Sequence, residues 1–193
     1  MAGAERSTPP RSVKLTYDDF MRFPDDGMRH ELIDGEHFVT PSPNPRHQRI
    51  LGSLYLEIGN HLKTDPIGEV FFAPLDVVIS NVDVVEPDLL YMSRERAAEV
   101  LLPEHVRGVP ELVVEIASTG TRKRDETIKR ALYERAGVSQ YWVIDPEIDV
   151  VRVYRNGVDG FSQPSELRRD AGDTLTTALL PDLAIPLDVI FRP

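Results

Sequence analysis

The stretch PELVVEIASTG, residues 110–120, decides how the rest of the chain is read. Leu112 to Ile116 is apolar and rich in β-branched residues except for one acid, Glu115. Pro110 bounds it on one side and Ser118-Thr119-Gly120 on the other. A short apolar run between turn residues reads as a central strand buried on both faces. An acid inside such a strand needs a reason, because charged side chains are rarely buried unless they are paired or bind a metal. Taken alone, Glu115 reads as a strand end that faces solvent or caps the next helix.

Working outward, Thr119 or Thr121 can cap a helix that runs to about Ala136 and stops at Gly137. Tyr141 to Ile144 and Val150 to Tyr154 then read as strands joined by the turn DPEID. On the upstream side, Glu69 to Phe72, Leu75 to Ser80 and Asp88 to Tyr91 are strand-like, and residues 93–102 read as a short helix. Ile50, Leu51, Leu54, Ile58 and Leu62 recur at three- and four-residue spacing and predict a helix from Pro45 to Leu62. In RHELIDGEHFV, residues 29–39, the Asp34-Gly35 pair predicts a hairpin turn. A short helix is expected after Thr16, ending before Pro24. The tail from Phe161 to Pro193 mixes turns and short apolar runs and gives no clear element. The strand–helix–strand order predicts the α/β class, a mixed central β-sheet flanked by helices.

The chain has 193 residues, which suits one domain, expected over residues 15–193 behind a disordered arm at residues 1–14. It has no cysteine, which excludes disulfides and cysteine-held zinc and fits a reducing cytoplasm. No run is long and apolar enough for a membrane helix, so no membrane partner is expected. The net charge of -10 argues against a broad basic nucleic-acid surface. Residues 122–135 nevertheless gather six basic residues against three acidic ones, a local concentration of positive charge.

The residues that could carry chemistry are two acids and one helix face. Asp88 opens the apolar run PDLLYM, and Glu115 lies in its own strand. Asp125, Lys129 and Tyr133 lie four residues apart along one helix face. By itself that face reads as a surface ion pair. Two acids on adjacent strands can hold a hard cation such as Mg²⁺, which takes oxygen ligands and keeps several waters. Such a cation polarises a phosphodiester and acidifies water, and a nearby lysine can offset the developing charge. His47, between Arg46 and Arg49, could contact phosphate, although a solvated helix start is the plainer reading. Ser118 and Thr119 read as helix caps, and Trp142 as core or interface packing. The other histidines have no zinc-like spacing.

The ordered set of PDLL, then PELVVEIAS with its Glu 27 positions after Asp88, then TRKRDETIKRALYERAGVSQYWVID, resembles the Uma-two family. That family is a bacterial branch of the restriction-endonuclease-like PD-(D/E)XK nucleases. RHELIDGE and the helix from Pro45 resemble its N-terminal part, so the likeness spans roughly residues 15–190. The resemblance implies an endonuclease that hydrolyses DNA phosphodiesters with Mg²⁺ or Mn²⁺. It implies Asp88 and Glu115 as metal ligands, Glu31 as an additional one, and Lys129 as the assisting lysine. The motif's own lysine position, two after Glu115, is Ala117. Lys123 is the alternative lysine. Lys123, Asp125, Tyr133 and His47 are the candidate substrate contacts. A homodimer would supply the two active sites needed to cut both strands. The alternative reading keeps the fold as a binding module without catalysis.

Overall fold

The computed structural model describes residues 13–24 and 26–192. Of the arm expected at residues 1–14, residues 1–12 lie outside the described residues. Lys14 packs against Gly35 and pairs with Asp34.

One of the sheets has five strands. It contains β1 (Arg29–Ile33), β2 (Glu36–Thr40), β4 (Val77–Ser80), β5 (Asp83–Val85) and β7 (Val106–Arg107), in the order β2-β1-β5-β4-β7. The hairpin β1–β2 turns at Asp34 and Gly35, both at positive φ, as the sequence predicts. The central sheet has seven strands: β3 (Gly68–Phe72), β6 (Leu89–Ser93), β8 (Leu112–Ile116), β9 (Gln140–Asp145), β10 (Val150–Gly157), β11 (Gly160–Phe161) and β12 (Ser165–Arg168). Its order is β11-β10-β9-β8-β6-β3, with β12 beside β10. The β8 and β9 strands are parallel and the other pairings in this sheet are antiparallel. The sheet is therefore mixed, and the helical crossover expected after Glu115 makes the parallel pair.

The helices are α1 (Tyr17–Phe20), α2 (Pro45–Thr64), α3 (Arg94–Val100), α4 (Arg122–Arg124), α5 (Arg130–Ala136) and α6 (Leu187–Ile190). A capping box between Thr16 and Asp19 starts α1. Asn44 caps α2 by accepting from the His47 N–H at 2.9 Å, with Pro45 at the first helical position. Between α4 and α5 the chain makes a π-helical turn, Asp125–Lys129, where an uninterrupted helix was expected. Such turns recur at functional sites. Gly137 ends the helix in the left-handed conformation, at φ 86. The β5 and β7 strands and the terminal hairpin β13 (Thr174–Thr177) with β14 (Leu180–Pro186) had no clear sequence signal.

Alternation along the strands divides the core between the two faces of the central sheet. Leu112, Val114 and Ile116 face α2 and the C-terminal segment. Val113 and Ala117 face the side of α3 and α5. Glu115 shares the parity of Val113 and Ala117, so it points to the second side. No helix among the described residues is long and apolar enough to cross a membrane.

Candidate active site

The register of β6 and β8 pairs Leu89 with Val114, and one further step along it brings Asp88 level with Glu115. Asp88 shares the parity of Leu90, so both acids end up on the same face of the central sheet, at the same edge. Both are buried, with 3% and 4% exposure. They line a cleft of about 370 Å³ whose walls are the loop before α2 and the loop 117–121.

Asp88 is held on both oxygens. Its Oδ2 accepts from His47 Nε2 at 3.0 Å and from the Ile116 N–H at 2.8 Å. Its Oδ1 accepts from Arg29 Nη1 at 3.0 Å. Burial alone would raise the carboxyl, but His47, Arg29 and the Ile116 N–H outweigh it and hold Asp88 at about 2. The reading of His47 as a solvated helix start is corrected here, because the ring is buried against Asp88. A carboxylate 41 positions away in the chain draws it inward.

Glu115 takes two donors on one oxygen. Lys129 Nζ at 2.9 Å and the Tyr133 hydroxyl at 2.8 Å both donate to its Oε1. Its Oε2 receives no hydrogen bond from the described residues. Lys129 is itself buried and also reaches Glu31 Oε1 at 2.7 Å. One ammonium therefore serves two carboxylates. Burial opposes ionisation of Glu31, but Lys129, the Glu86 N–H and Arg124 keep it below the usual carboxylate range. Glu115 carries the excess. Burial, together with Asp88, Asp125 and Glu31, overrides the pull of Lys129 and pushes it up to about 8. Lys129 is raised in turn, because Glu115, Glu31 and Asp125 outweigh its burial.

Glu31 lies on β1 and joins the two sheets at the site. Besides Lys129, it accepts from the Glu86 N–H at 3.1 Å and the Thr40 hydroxyl at 3.3 Å, with Arg124 at 3.6 Å. Asp125 is buried, lines the cleft, and has an Oδ1 with no partner. Its carboxyl is raised, mainly by burial.

The donor set suits a hard cation. The open groups are oxygens: Glu115 Oε2, Asp125 Oδ1, and Asp88 Oδ1 once Arg29 moves away. No group of three or more acids and histidines converges on one point among the described residues. The fit is thus to an ion held by one or two carboxylates that keeps its waters, the habit of Mg²⁺. Ala117 follows Glu115 on the same face, and the lysine that contacts Glu115, Lys129, comes from the π turn.

Asp88, Glu115, Lys129, His47 and Asp125 all line the cleft, and Glu31 is tied into it through Lys129. Tyr133 is fully buried behind Glu115 and does not line the cleft. Lys123 is exposed and outside it. Ser118 and Thr121 cap each other reciprocally, at 3.1 and 3.2 Å, while Thr119 donates to Glu147. Trp142 is core, with its N–H on Gln140. The basic run at residues 122–135 is largely spent on the protein's own acids. Arg122 pairs with Asp145 and Glu147, Arg124 with Glu31, Arg130 with Glu134, and Arg135 with Asp83. Sequence reasoning missed Arg29 and Glu86. The signal for Arg29 was available, since it stands two residues before Glu31 on the same strand face.

The fold is shared with a solved structure from Anabaena variabilis ATCC 29413 described as "a putative nuclease belonging to DUF820". The two have a TM-score of 0.77 and 19% identity, over 92% of this chain and 97% of that one. The type IIG restriction endonuclease BpuSI matches over 76% of this chain and 15% of its own, at 15% identity and a TM-score of 0.41, too low to carry an argument. No curated protein matches the sequence. The model of the Uma2 family, described as "Putative restriction endonuclease", matches residues 17–189, and the chain therefore belongs to that restriction-endonuclease-like family.

Proposed function

We propose that the protein is an endonuclease that hydrolyses DNA phosphodiesters with Mg²⁺ or Mn²⁺ held by Asp88 and Glu115. The observation that carries this reading is the pairing of two buried acids level with each other on neighbouring strands, with a buried lysine on one of them. When bound, the cation would supply Lewis acidity toward a phosphoryl oxygen and lower the pKa of water.

The chain's own residues do the rest. His47 and the Ile116 N–H fix Asp88 by one oxygen. Tyr133 and Lys129 fix Glu115 by one oxygen, leaving the other toward the cleft. Lys129 sits where positive charge can oppose charge developing on phosphate. Glu31, with its oxygens taken by Lys129, Glu86 and Thr40, serves as the second anchor of Lys129 rather than as a ligand. Cutting both strands of a duplex would take two copies of this site.

The test is Mn²⁺ calorimetry and plasmid nicking on the wild type and on Asp88→Asn. Both signals are expected in the wild type. Both should be lost in the variant, with nicking down by at least about a thousandfold, the rate equivalent of several kcal/mol. Full nicking by Asp88→Asn would overturn the reading. A second reading, a binding module without catalysis, is favoured by the Arg29 guanidinium on Asp88. Cation-dependent oligonucleotide binding without nicking by the wild type would select it.

A further inference from the structure

Asp88 offers a cation only one oxygen, because Oδ2 is committed to His47 and to the Ile116 N–H inside the fold. The remaining oxygen, Oδ1, carries the Arg29 guanidinium. Arg29 comes from the end of β1, and its side chain is 20% exposed. It has a second partner within reach: its Nε lies 3.5 Å from Glu86 Oε1, and that oxygen has no hydrogen bond. It also has somewhere to move. Arg29, His47 and Asp88 stand between the cleft and an adjoining cavity of about 250 Å³ that Glu86 also lines.

We propose that Arg29 is the resident counter-cation of Asp88, which leaves the carboxylate when a divalent cation binds and then takes a phosphate of the nucleic acid. The inference rests on the reading of Asp88 as a cation ligand. Two positive groups on one carboxylate oxygen repel, so guanidinium and metal exclude each other there. A released guanidinium at the cleft wall presents paired N–H donors, which suit a phosphate. The two roles of Arg29 cannot be filled together, so metal and substrate binding become coupled. Each should strengthen the other by the same factor.

The experiment is calorimetry with Mn²⁺ on the wild type, Arg29→Gln, Arg29→Lys and Asp88→Asn, at neutral pH and without DNA. Arg29→Gln should bind Mn²⁺ several-fold more tightly than the wild type, and Arg29→Lys should lie between them. Oligonucleotide binding is then measured with and without Ca²⁺. The wild type should bind more tightly with Ca²⁺, and Arg29→Gln should lose most of that gain. A merely structural arginine would not raise cation affinity when it is removed. Equal or weaker Mn²⁺ binding by a folded Arg29→Gln, with binding abolished in Asp88→Asn, overturns the inference and leaves the site reading intact. Wild-type Mn²⁺ binding that survives in Asp88→Asn overturns the site reading itself, and the inference with it.

Discussion

The two faces of the central sheet are made by alternate residues of the same strands, yet they are held together differently. Toward α2, the cluster of Leu89, Tyr91, Leu112, Val114, Ile116, Trp142 and Ile144 carries no charged side chain, and the Trp142 N–H is met by Gln140. Toward α5, the same strands present Leu90, Val113, Tyr141 and Val143, but each adds an acid at one edge: Asp88, Glu115 and Asp145. The first face gains its stability from area removed from water. The second sets a basic side chain beside each acid: Arg29, Lys129 and Arg122. A side chain lost from the first leaves a hole, and one lost from the second leaves a buried polar partner short of a bond.

The largest effect should come from Lys129→Met. Removing the ammonium takes from Glu31 and Glu115 the cation they share and leaves Glu31 with Arg124 alone, at a cost of about 3–5 kcal/mol. Urea denaturation measures it, and a loss below about 1 kcal/mol would break the contrast between the faces. Leu54→Ala on the apolar face should cost about 2–5 kcal/mol by leaving a cavity. Its Mn²⁺ affinity should equal that of the wild type, and a shift there would mean that the faces are not independent.

The pH dependence sharpens the comparison. Glu115 at about 8 and Glu86 at about 7 hold protons in the folded chain that the unfolded chain has already released. Their contribution to stability is complete below the ordinary carboxylate range and is lost as the pH rises toward about 8. Asp88 acts with the opposite sign: its contribution is present above the ordinary range and lost as the pH falls through about 2. Denaturation curves should show stability falling from mildly acidic to mildly alkaline pH, and Glu115→Gln should flatten that fall. An unchanged slope in the variant would remove Glu115 as its source. The smallest effect is expected at Lys123, which is exposed and has no ion pair among the described residues. Lys123→Ala should change stability by no more than about 0.5 kcal/mol and leave Mn²⁺ affinity unaltered.

What could be read in the sequence was whatever local spacing determines. The Asp34-Gly35 turn, the apolar stripe of α2 and the strand around Glu115 all follow from periodicity and turn chemistry over a few residues. The side on which Glu115 points follows from parity. What could not be read depends on partners far apart in the chain. The β5 strand has only three residues and exists by pairing with β1 and β4. His47 is buried because Asp88 lies beside it, and Arg29 is a site residue because β1 begins there. The basic run at residues 122–135 reads as a local concentration of positive charge because some of its neutralising acids, Asp83, Asp145 and Glu147 among them, are distant in sequence.

The π turn has a consequence for how this chain can change length. In a π turn the N–H bonds five residues back rather than four, and here Arg130 bonds to Asp125. Such a turn holds one residue more than an α-helical turn, so deleting one residue from it would let the ladder close as an ordinary α-helix with both flanks near their present orientation. Leu132 and Tyr133 would stay locked in the core, and Arg122 and Arg124 would stay beside Asp145 and Glu31. Thr127 and Ile128, both exposed and between Asp125 and Lys129, are the positions where a residue can be lost. The segment is permissive in what it spells and, by one residue, in how many letters it uses.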